Sequence, residues 1–199
     1  MTMLKVPEYE KLLGLRVHRS VRAAEIQHLS WLGSQVPENA TIVEIGSYKG
    51  ISTIALALGA RSANKSFTLH AIDPWQKGAG KISKRYTRAE VFPRFVENVA
   101  AFGLINQIIP IMAFSQEAFK FLCDPIDLLF IDGSHKFLDV NSDYTKWSKR
   151  VCIGGRIALH DYGSKWPGVD EVVANAIASG DWDNINVVGT IWSATKKGE

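Results

Sequence analysis

Residues able to accept protons or bind a cation follow several short apolar runs of the sequence. Asp73 follows one run, Asp132 follows a second, and His160 and Asp161 follow a third. His135 comes shortly after Asp132. Carboxylates can bind the hydroxyl groups of a ribose or a metal ion, and an imidazole titrates near neutral pH, so it can take a proton from an alcohol. These residue types predict a site for ligand binding and acid–base chemistry.

A glycine-containing turn precedes these residues at positions 44–50, between a β-branched run and a helical pattern. Glycine lets the backbone come close to a ligand, and a helix start offers unpaired N–H groups. The turn has Gly46 and Gly50, but it lacks the third glycine of a dinucleotide-binding fingerprint and the lysine of a P-loop. Tight packing alone is the alternative explanation. Asp73 favours nucleoside binding, with an Asp-Pro turn as its alternative.

Short apolar runs alternate with helical patterns along the chain, which predicts a parallel sheet covered by helices. The predicted strands are residues 41–45, 67–72, 107–112, 126–131 and 155–159, followed by two closing strands at 185–188 and 190–194. The predicted helices are residues 20–36, 51–59, 88–102, 115–122, 136–150 and 169–178. Ser20 and Ser115 are the predicted N-caps of two of these helices.

The order of these elements predicts where the polar residues lie. In an open parallel sheet, ligands collect at the carboxyl ends of the strands. The residues that follow the predicted strands, and therefore share this edge, are Gly46, Asp73, Asp132, His160 and Asp161. Turn chemistry alone does not explain so many signals on one edge, so the sequence predicts a ligand site there.

Several motifs, taken in order, resemble those of the class I S-adenosylmethionine-dependent methyltransferases. The motifs are residues 44–53, 72–73, 130–135, 154–155 and 160–162. The resemblance is strongest to the bacterial branch of macrolide-sugar O-methyltransferases and the cephalosporin-biosynthesis methyltransferase group, and it covers residues 41–178. It implies a Rossmann-like α/β fold, with a seven-stranded, mostly parallel sheet, helices on both faces and an antiparallel last strand.

The same resemblance implies which residues bind S-adenosylmethionine. The residues placed around its methionine part are Glu44, Gly46, Ser47, Tyr48, Gly50 and Ser52. Asp73 is placed at the ribose and Asp132 beside the transferred methyl group. Phe114 and Ser115 are placed at the adenine, with Phe114 as an apolar wall. Many relatives carry an acid before that serine, whereas this sequence has Ala113 and Phe114 there.

A metal site is also implied by the resemblance, because metal-dependent relatives hold Mg²⁺ with three oxygen ligands at this edge. Asp132, His160 and Asp161 occupy the matching positions. The nitrogen ligand of His160 shifts the metal preference from Mg towards Mn, Fe or Zn. A site without metal is the alternative.

His135 is the first candidate for the base that removes the proton of an acceptor hydroxyl, and His160 is the second. With a metal present, the metal would instead lower the pKa of that hydroxyl, and His135 would orient the acceptor. The structural alternative for His135 is a cap on the helix predicted from residue 136.

The segment between Asp73 and the next helix, residues 74–88, is rich in basic residues and contains no acidic ones. Its bases are Lys77, Lys81, Lys84, Arg85 and Arg88. Two glycines give the segment mobility, and Trp75 and Tyr86 flank its charges. We expect a lid that attracts an anionic acceptor, with a solvated loop as the alternative. The rest of the chain is slightly acidic.

The chain is predicted to form a single domain over residues 1–199, with residues 1–38 as an N-terminal helical extension. The helix that carries Trp31 is expected to cover either the site or a partner subunit in a homo-oligomer. The content of 46% hydrophobic and 22% charged residues is typical of a folded globular protein, and the net charge of +3 does not favour a nucleic-acid partner.

Cys123 and Cys152 show no CxxC or metal spacing, which indicates buried thiols in a reducing compartment. The sequence has neither the apolar core of a signal peptide nor a run of about 20 apolar residues, so we expect a cytoplasmic protein without a membrane partner.

The leading prediction for function is S-adenosylmethionine-dependent O-methylation of a hydroxyl on a small molecule. One alternative is an NAD-dependent oxidoreductase, and another is a non-catalytic module that binds a cofactor or nucleic acid.

Overall fold

A computed structural model of the chain describes residues 6–14, 21–75, 88–122 and 125–198. Most of the predicted basic lid, residues 76–87, lies outside the described residues, so the lid stays a prediction. Ser20 and Cys123 lie outside them as well.

Seven strands form one sheet in the described part of the chain, in the order β3-β2-β1-β4-β5-β7-β6. The strands are β1 (Ala40–Ile45), β2 (Phe67–Ile72), β3 (Ile108–Ile111), β4 (Ile126–Ile131), β5 (Val151–Leu159), β6 (Trp182–Val188) and β7 (Ile191–Lys196). β1 to β5 are parallel, and β7 runs antiparallel to both of its neighbours, β5 and β6. The predicted mostly parallel seven-stranded sheet with an antiparallel last strand is therefore confirmed.

The helices lie between the strands, as the alternating pattern predicts. They are α1 (Val6–Gly14), α2 (Ala23–Ser34), α3 (Ile51–Ser62), α4 (Arg88–Ala101), α5 (Ser115–Ala118), α6 (Phe137–Trp147), which continues into a 3₁₀ turn at Ser148–Arg150, and α7 (Pro167–Ser179). None of the helices in the described ranges has the length and apolar content needed to cross a membrane.

The core has two parts, one on each face of the sheet. Successive side chains of a strand point to opposite faces, so Ile42 of β1 joins one part while Val43 and Ile45 join the other. The first part includes side chains of α1, α2, α3 and α4, and the second includes side chains of α5, α6 and α7. Because both faces are covered, the central strands are apolar runs rather than alternating ones.

Two glycines bring α2 and α3 into backbone contact. A Cβ atom at Gly33 would lie 2.0 Å from the carbonyl oxygen of Leu56, and one at Gly59 would lie 1.9 Å from that of Ser30. No other residue fits at either position without moving a helix. The contact fixes α2 against the sheet and sets the position of its N-terminal end.

Two helices have N-caps other than the predicted ones. α2 starts at residue 23 after the N-cap Arg22, whose backbone N–H donates to the Glu25 carboxylate at 2.5 Å. α5 covers only four residues, and Ser115 lies inside it rather than at its cap, which is Phe114. Trp31 of α2 is partly buried and stacks on His28 with a centroid distance of 5.5 Å. The predicted oligomer contact of this helix stays a prediction.

Candidate active site

The carboxyl ends of the parallel strands open into a cavity of about 760 Å³. Among the predicted site residues, those that line it are Gly46, Ser47, Tyr48, Ser52, Asp73, Phe114, Ser115, Asp132, His135, His160 and Asp161. Val21, just before α2, lines it too, so the N-terminal end of this helix reaches the site. Glu44 and Gly50 are not part of the lining.

Gly46 lets the turn after β1 pack closely against the turn after β4. Its φ angle is +94°, and a Cβ atom there would lie 2.1 Å from the carbonyl oxygen of Asp132. On either side of it, the Gly46 N–H donates to Ile72 and the Asp132 N–H donates to Ile45, both at 2.8 Å. Glycine is required at position 46 because the two backbones are in contact. The same contact fixes the position of Asp132 next to the turn.

Gly50 and Glu44 support the turn from outside the cavity. Gly50 is the N-cap of α3 with a φ angle of +83°, a conformation that favours glycine. Glu44 is fully buried beneath the turn and accepts a hydrogen bond from the Thr53 hydroxyl. Burial raises the pKa of Glu44 to about 7, against the opposing effect of the Ser52 and Thr53 hydroxyls. Glu44 therefore fixes the turn that lines the cavity.

Asp73 connects two strained turns through its carboxylate. One oxygen accepts the Tyr48 N–H at 2.9 Å, and the other accepts the Trp75 N–H at 2.7 Å. Tyr48 and Trp75 have positive φ angles of 45° and 30°. Asp73 also lines the cavity, and a carboxylate is a group that accepts hydrogen bonds from the hydroxyl groups of a ligand.

Trp75 differs from its predicted place in a lid. Its indole N–H donates to the Tyr48 carbonyl at 2.7 Å, and its ring is only 1% exposed, packed against Phe92 and Phe95. It joins the core to the lining of the cavity and fixes the turn that carries Tyr48.

The end of the cavity near α5 combines an exposed ring with a buried acid. Phe114 is 42% exposed, which suits the predicted apolar wall. The Ser115 hydroxyl donates to Asp143, a residue that sequence analysis missed. Burial raises the pKa of Asp143 to about 6. In the sequence, Asp143 could have been found as an acid on the same helix face as the apolar residues Val140 and Trp147, a face that is buried in α6.

His160 is buried among three carboxylates. Its Nδ1 atom lies 3.1 Å from Asp132 Oδ1 and 3.7 Å from Asp161 Oδ2, and its Nε2 atom lies 3.7 Å from Glu25 Oε2. Burial alone would lower the pKa of His160. The charge of Asp132, the hydrogen bond to it, and the nearby carboxylates of Glu25 and Asp161 outweigh burial and raise it to about 10.

This environment bears on the predicted roles of His160. With its raised pKa the ring carries a proton, and an imidazolium has no lone pair with which to accept another. His160 also lies outside the cluster formed by Asp132, His135 and Asp161. Its roles as second candidate base and as metal ligand stay predictions. Its charge stabilises the carboxylates around it.

Glu25 is the second site residue that sequence analysis missed. Its Oε1 atom accepts the Thr190 N–H at 2.8 Å, and its Oε2 atom accepts the Arg22 N–H. Burial would raise the pKa of Glu25, but the nearby imidazole of His160 and the hydrogen bonds from these two backbone groups outweigh it and lower the pKa to about 2. The signal in the sequence is an acid at the third position of a helix, where it caps the N-terminus.

His135 and Asp161 form a close pair at the mouth of the cavity. The Nε2 atom of His135 lies 2.7 Å from Asp161 Oδ2, and its ring stacks on Trp166 with centroids 4.4 Å apart. Lys136, not His135, is the N-cap of α6, so the capping alternative for His135 is wrong. His135 is partly exposed and free to meet a ligand.

The structure also brings together a cluster with the chemistry of a metal site. One ligand atom from each of Asp132, His135 and Asp161 lies within 4.8 Å of the others. The predicted set contained His160 in place of His135. Two carboxylates and one imidazole suit Mn, Fe or Zn better than Mg.

Comparison with known proteins identifies a family for most of this region. Residues 43–162 match a family model described as "Methyltransferase domain". An uncharacterized protein of Acanthamoeba polyphaga mimivirus is 27% identical over 146 residues, which is 69% of this chain and 61% of that protein. An uncharacterized protein of Sinorhizobium fredii is 22% identical over 120 residues, which is 60% of this chain and 13% of that protein. The chain thus spans less than two thirds of each.

Solved structures resemble the fold over nearly the whole chain. An O-methyltransferase from Bacillus cereus in complex with SAH has a TM-score of 0.66 at 18% identity, covering 96% of this chain and 92% of that one. The O-methyltransferase NovP has a TM-score of 0.68 at 16% identity, and the match covers 88% of this chain and 81% of that one. An rRNA methylase from Streptococcus thermophilus has a TM-score of 0.62 at 14% identity, and the match covers 92% of this chain and 99% of that one. The likeness at these identities shows the fold.

We expect His160→Gln to lower the free energy of unfolding by about 3–5 kcal/mol near pH 6, because it leaves the buried carboxylates without their cation. The raised pKa of His160 stabilises the wild type fully below its ordinary value of 6.5, and this contribution is lost as the pH rises towards about 10. Urea unfolding of both proteins from pH 6 to pH 10 measures the effect. A difference between them that does not shrink with rising pH would contradict it.

Proposed function

The chain belongs to the methyltransferase-domain family whose model it matches over residues 43–162, and we propose that it is an S-adenosylmethionine-dependent O-methyltransferase of small molecules. The observation that carries the proposal is the convergence of the glycine turn, Asp73 and the His135–Asp161 pair on one cavity of about 760 Å³. Cavities of about 300–1,000 Å³ are typical of small-molecule sites.

The lining of the cavity fits S-adenosylmethionine. Asp73 lines the cavity with a carboxylate, a group that accepts hydrogen bonds from ribose hydroxyls, and Phe114 offers an apolar face for adenine. Gln116 also lines the cavity and carries an amide that can pair with the adenine edge, where the sequence lacks the acid of other family members. The N–H groups at the start of α3, with Ser47 and Ser52, suit the carboxylate of the methionine part.

His135 is the proposed base. S-adenosylmethionine supplies a methyl group on a sulfonium, and its transfer to a hydroxyl leaves S-adenosylhomocysteine and releases a proton. When Nε2–H of His135 donates to Asp161 at 2.7 Å, Nδ1 holds the lone pair that can accept this proton. Stacking on Trp166 fixes the ring plane, so Asp161 and Trp166 together orient the base.

A divalent cation is the second candidate for activating the hydroxyl. The convergence of Asp132, His135 and Asp161 within 4.8 Å favours it, and the cation would lower the pKa of the bound hydroxyl. In that case His135 is a ligand rather than the base. The alternatives of an NAD-dependent oxidoreductase and a nucleic-acid-binding module gain no support from the described site. The free thiol of Cys152 supports a reducing compartment such as the cytoplasm.

Asp73→Asn should weaken binding of S-adenosylhomocysteine by roughly 10- to 100-fold, because hydrogen bonds to a charged carboxylate are lost. Isothermal titration calorimetry with S-adenosylhomocysteine measures the change. Asp183→Asn is the matched control, since Asp183 is exposed on β6 and pairs with Lys197. Unchanged affinity in Asp73→Asn would remove Asp73 from the site, and absence of binding by the wild type would overturn the proposed function.

His135→Gln should lower kcat by about 100-fold or more while leaving the affinity for S-adenosylhomocysteine within about twofold, since loss of a general base slows chemistry rather than cofactor binding. Turnover is measured as S-adenosylhomocysteine release with the best acceptor from a panel of phenols and sugars. Equal turnover in the variant and the wild type would remove His135 from the mechanism.

Mn²⁺ should bind one site per chain, with affinity reduced tenfold or more by Asp132→Asn or Asp161→Asn, because each change removes an anionic ligand. Electron paramagnetic resonance of free Mn²⁺ measures the binding without turnover. Asp139→Asn is the control, because Asp139 also lines the cavity but lies outside the cluster. If millimolar Mn²⁺ does not bind, the cation is excluded and His135 stays as the proposed base.

A further inference from the structure

A second, smaller cavity of about 390 Å³ adjoins the site. Asp161 lines both cavities, and so connects the smaller one to the candidate base. Arg22 and Thr190 line one part of the smaller cavity, and Lys165 and Trp166 line another. It therefore lies between the N-terminal end of α2, the β6–β7 turn and the loop after β5.

The two cations of this cavity carry uncompensated charge. Throughout the described ranges, neither the Arg22 guanidinium nor the Lys165 ammonium has a carboxylate within ion-pair distance. The ammonium of Lys165 lies 5.0 Å from the ring centroid of Trp166. Arg22 is exposed, and its backbone rather than its side chain makes the contact with Glu25.

The two carboxylates of the same cavity are already engaged. Glu25 accepts the Thr190 N–H at 2.8 Å, the Thr190 hydroxyl at 3.0 Å and the Arg22 N–H. Asp161 faces His135 at 2.7 Å and His160 at 3.7 Å. Both carboxylates are thus directed at groups of the protein, and the groups left for a ligand are cationic.

The wall that carries Lys165 is fixed relative to His135. Trp166 stacks on the His135 ring, and a Cβ atom at Gly168 would lie 2.8 Å from the His135 carbonyl oxygen. At the other end of the loop, the Ser164 hydroxyl donates to the Asp161 carbonyl at 2.6 Å. The loop that carries Lys165 is therefore held next to the candidate base.

We propose that this second cavity is the acceptor subsite and that it binds an anionic group of the acceptor, a carboxylate or a phosphate, through Arg22 and Lys165. The acceptor hydroxyl then faces His135 and Asp161 across the shared wall. Arg provides a fork that matches either oxyanion, and Lys adds a point charge. The inference rests on the proposed methyl transfer and names the substrate class of the same site.

The test uses two matched pairs of small molecules, each differing in one anionic group. 3-Hydroxybenzoate is compared with 3-hydroxybenzyl alcohol, and glucose 6-phosphate with glucose. Each is titrated into the ¹⁵N-labelled full chain saturated with S-adenosylhomocysteine, and the indole N–H signal of Trp166, assigned with Trp166→Phe, is followed by NMR. The variants are Arg22→Gln/Lys165→Gln and the control Arg94→Gln/Lys149→Gln, whose residues are exposed and do not line either cavity.

We expect at least one anionic member to shift the Trp166 signal at concentrations where its neutral partner does not, and the pair that does so tells a carboxylate from a phosphate. In Arg22→Gln/Lys165→Gln this binding weakens by roughly tenfold, and in the control it is unchanged.

Equal shifts from the neutral molecules, wild-type binding by Arg22→Gln/Lys165→Gln, or no shift from any of the four molecules would overturn the subsite. Binding of S-adenosylhomocysteine is measured first on the same sample. Its failure overturns the proposed function, whereas its success with an unmoved Trp166 signal overturns the acceptor subsite alone.

Discussion

The positive charge of His160 is the constraint on which the active edge of the sheet depends. Glu25, Asp132 and Asp161 come from three separate parts of the chain, and their carboxylates would repel one another if brought together without a cation. His160 lies within 3.7 Å of all three. One buried imidazolium thereby joins the start of α2 to the carboxyl ends of β4 and β5, and Glu25 extends the connection to the β6–β7 turn.

Two histidines near the same edge lie in different surroundings. The side chain of His160 is 5% exposed and surrounded by carboxylates, so it stays charged and holds structure. The side chain of His135 is 33% exposed and has one carboxylate partner and one aromatic neighbour, so it is accessible to a ligand in the cavity. Burial and the number of nearby charges, rather than residue type, distinguish the two side chains.

The sequence was sufficient to predict the sheet, its helices and the edge where the cavity opens, because these follow from local patterns. Apolar runs ending in glycine or aspartate mark the strand ends, and each carboxyl end must lie on the same edge of a parallel sheet. The length of α5 was not predictable in this way. The carbonyl of Phe119, just beyond α5, accepts a hydrogen bond from the distant Arg150 guanidinium at 2.9 Å. Such a tertiary contact can override local helix preference.

The roles of His135 and His160 were not predictable for the same reason. The charge of His160 depends partly on Glu25, which is distant in the sequence and is brought close only when α2 packs on α3. Asp143 and Trp75 were missed or misplaced because their burial depends on how α6 and α4 pack on the sheet. Local sequence patterns predicted where the cavity lies, and long-range packing determined the surroundings of each side chain.

The turn between β6 and β7 has to leave space for a buried carboxylate. Gly189 leaves room for the Glu25 carboxylate, since a Cβ atom there would lie 2.4 Å from Glu25 Oε1. This turn is remote from Asp73 and the glycine turn after β1, which belong to the other half of the sheet. A side chain at position 189 would displace the Glu25 carboxylate from the Thr190 N–H and from His160, while Asp73 makes none of these contacts. A single hydrogen atom in place of a side chain thus lets a carboxylate of α2 sit against the far end of the sheet.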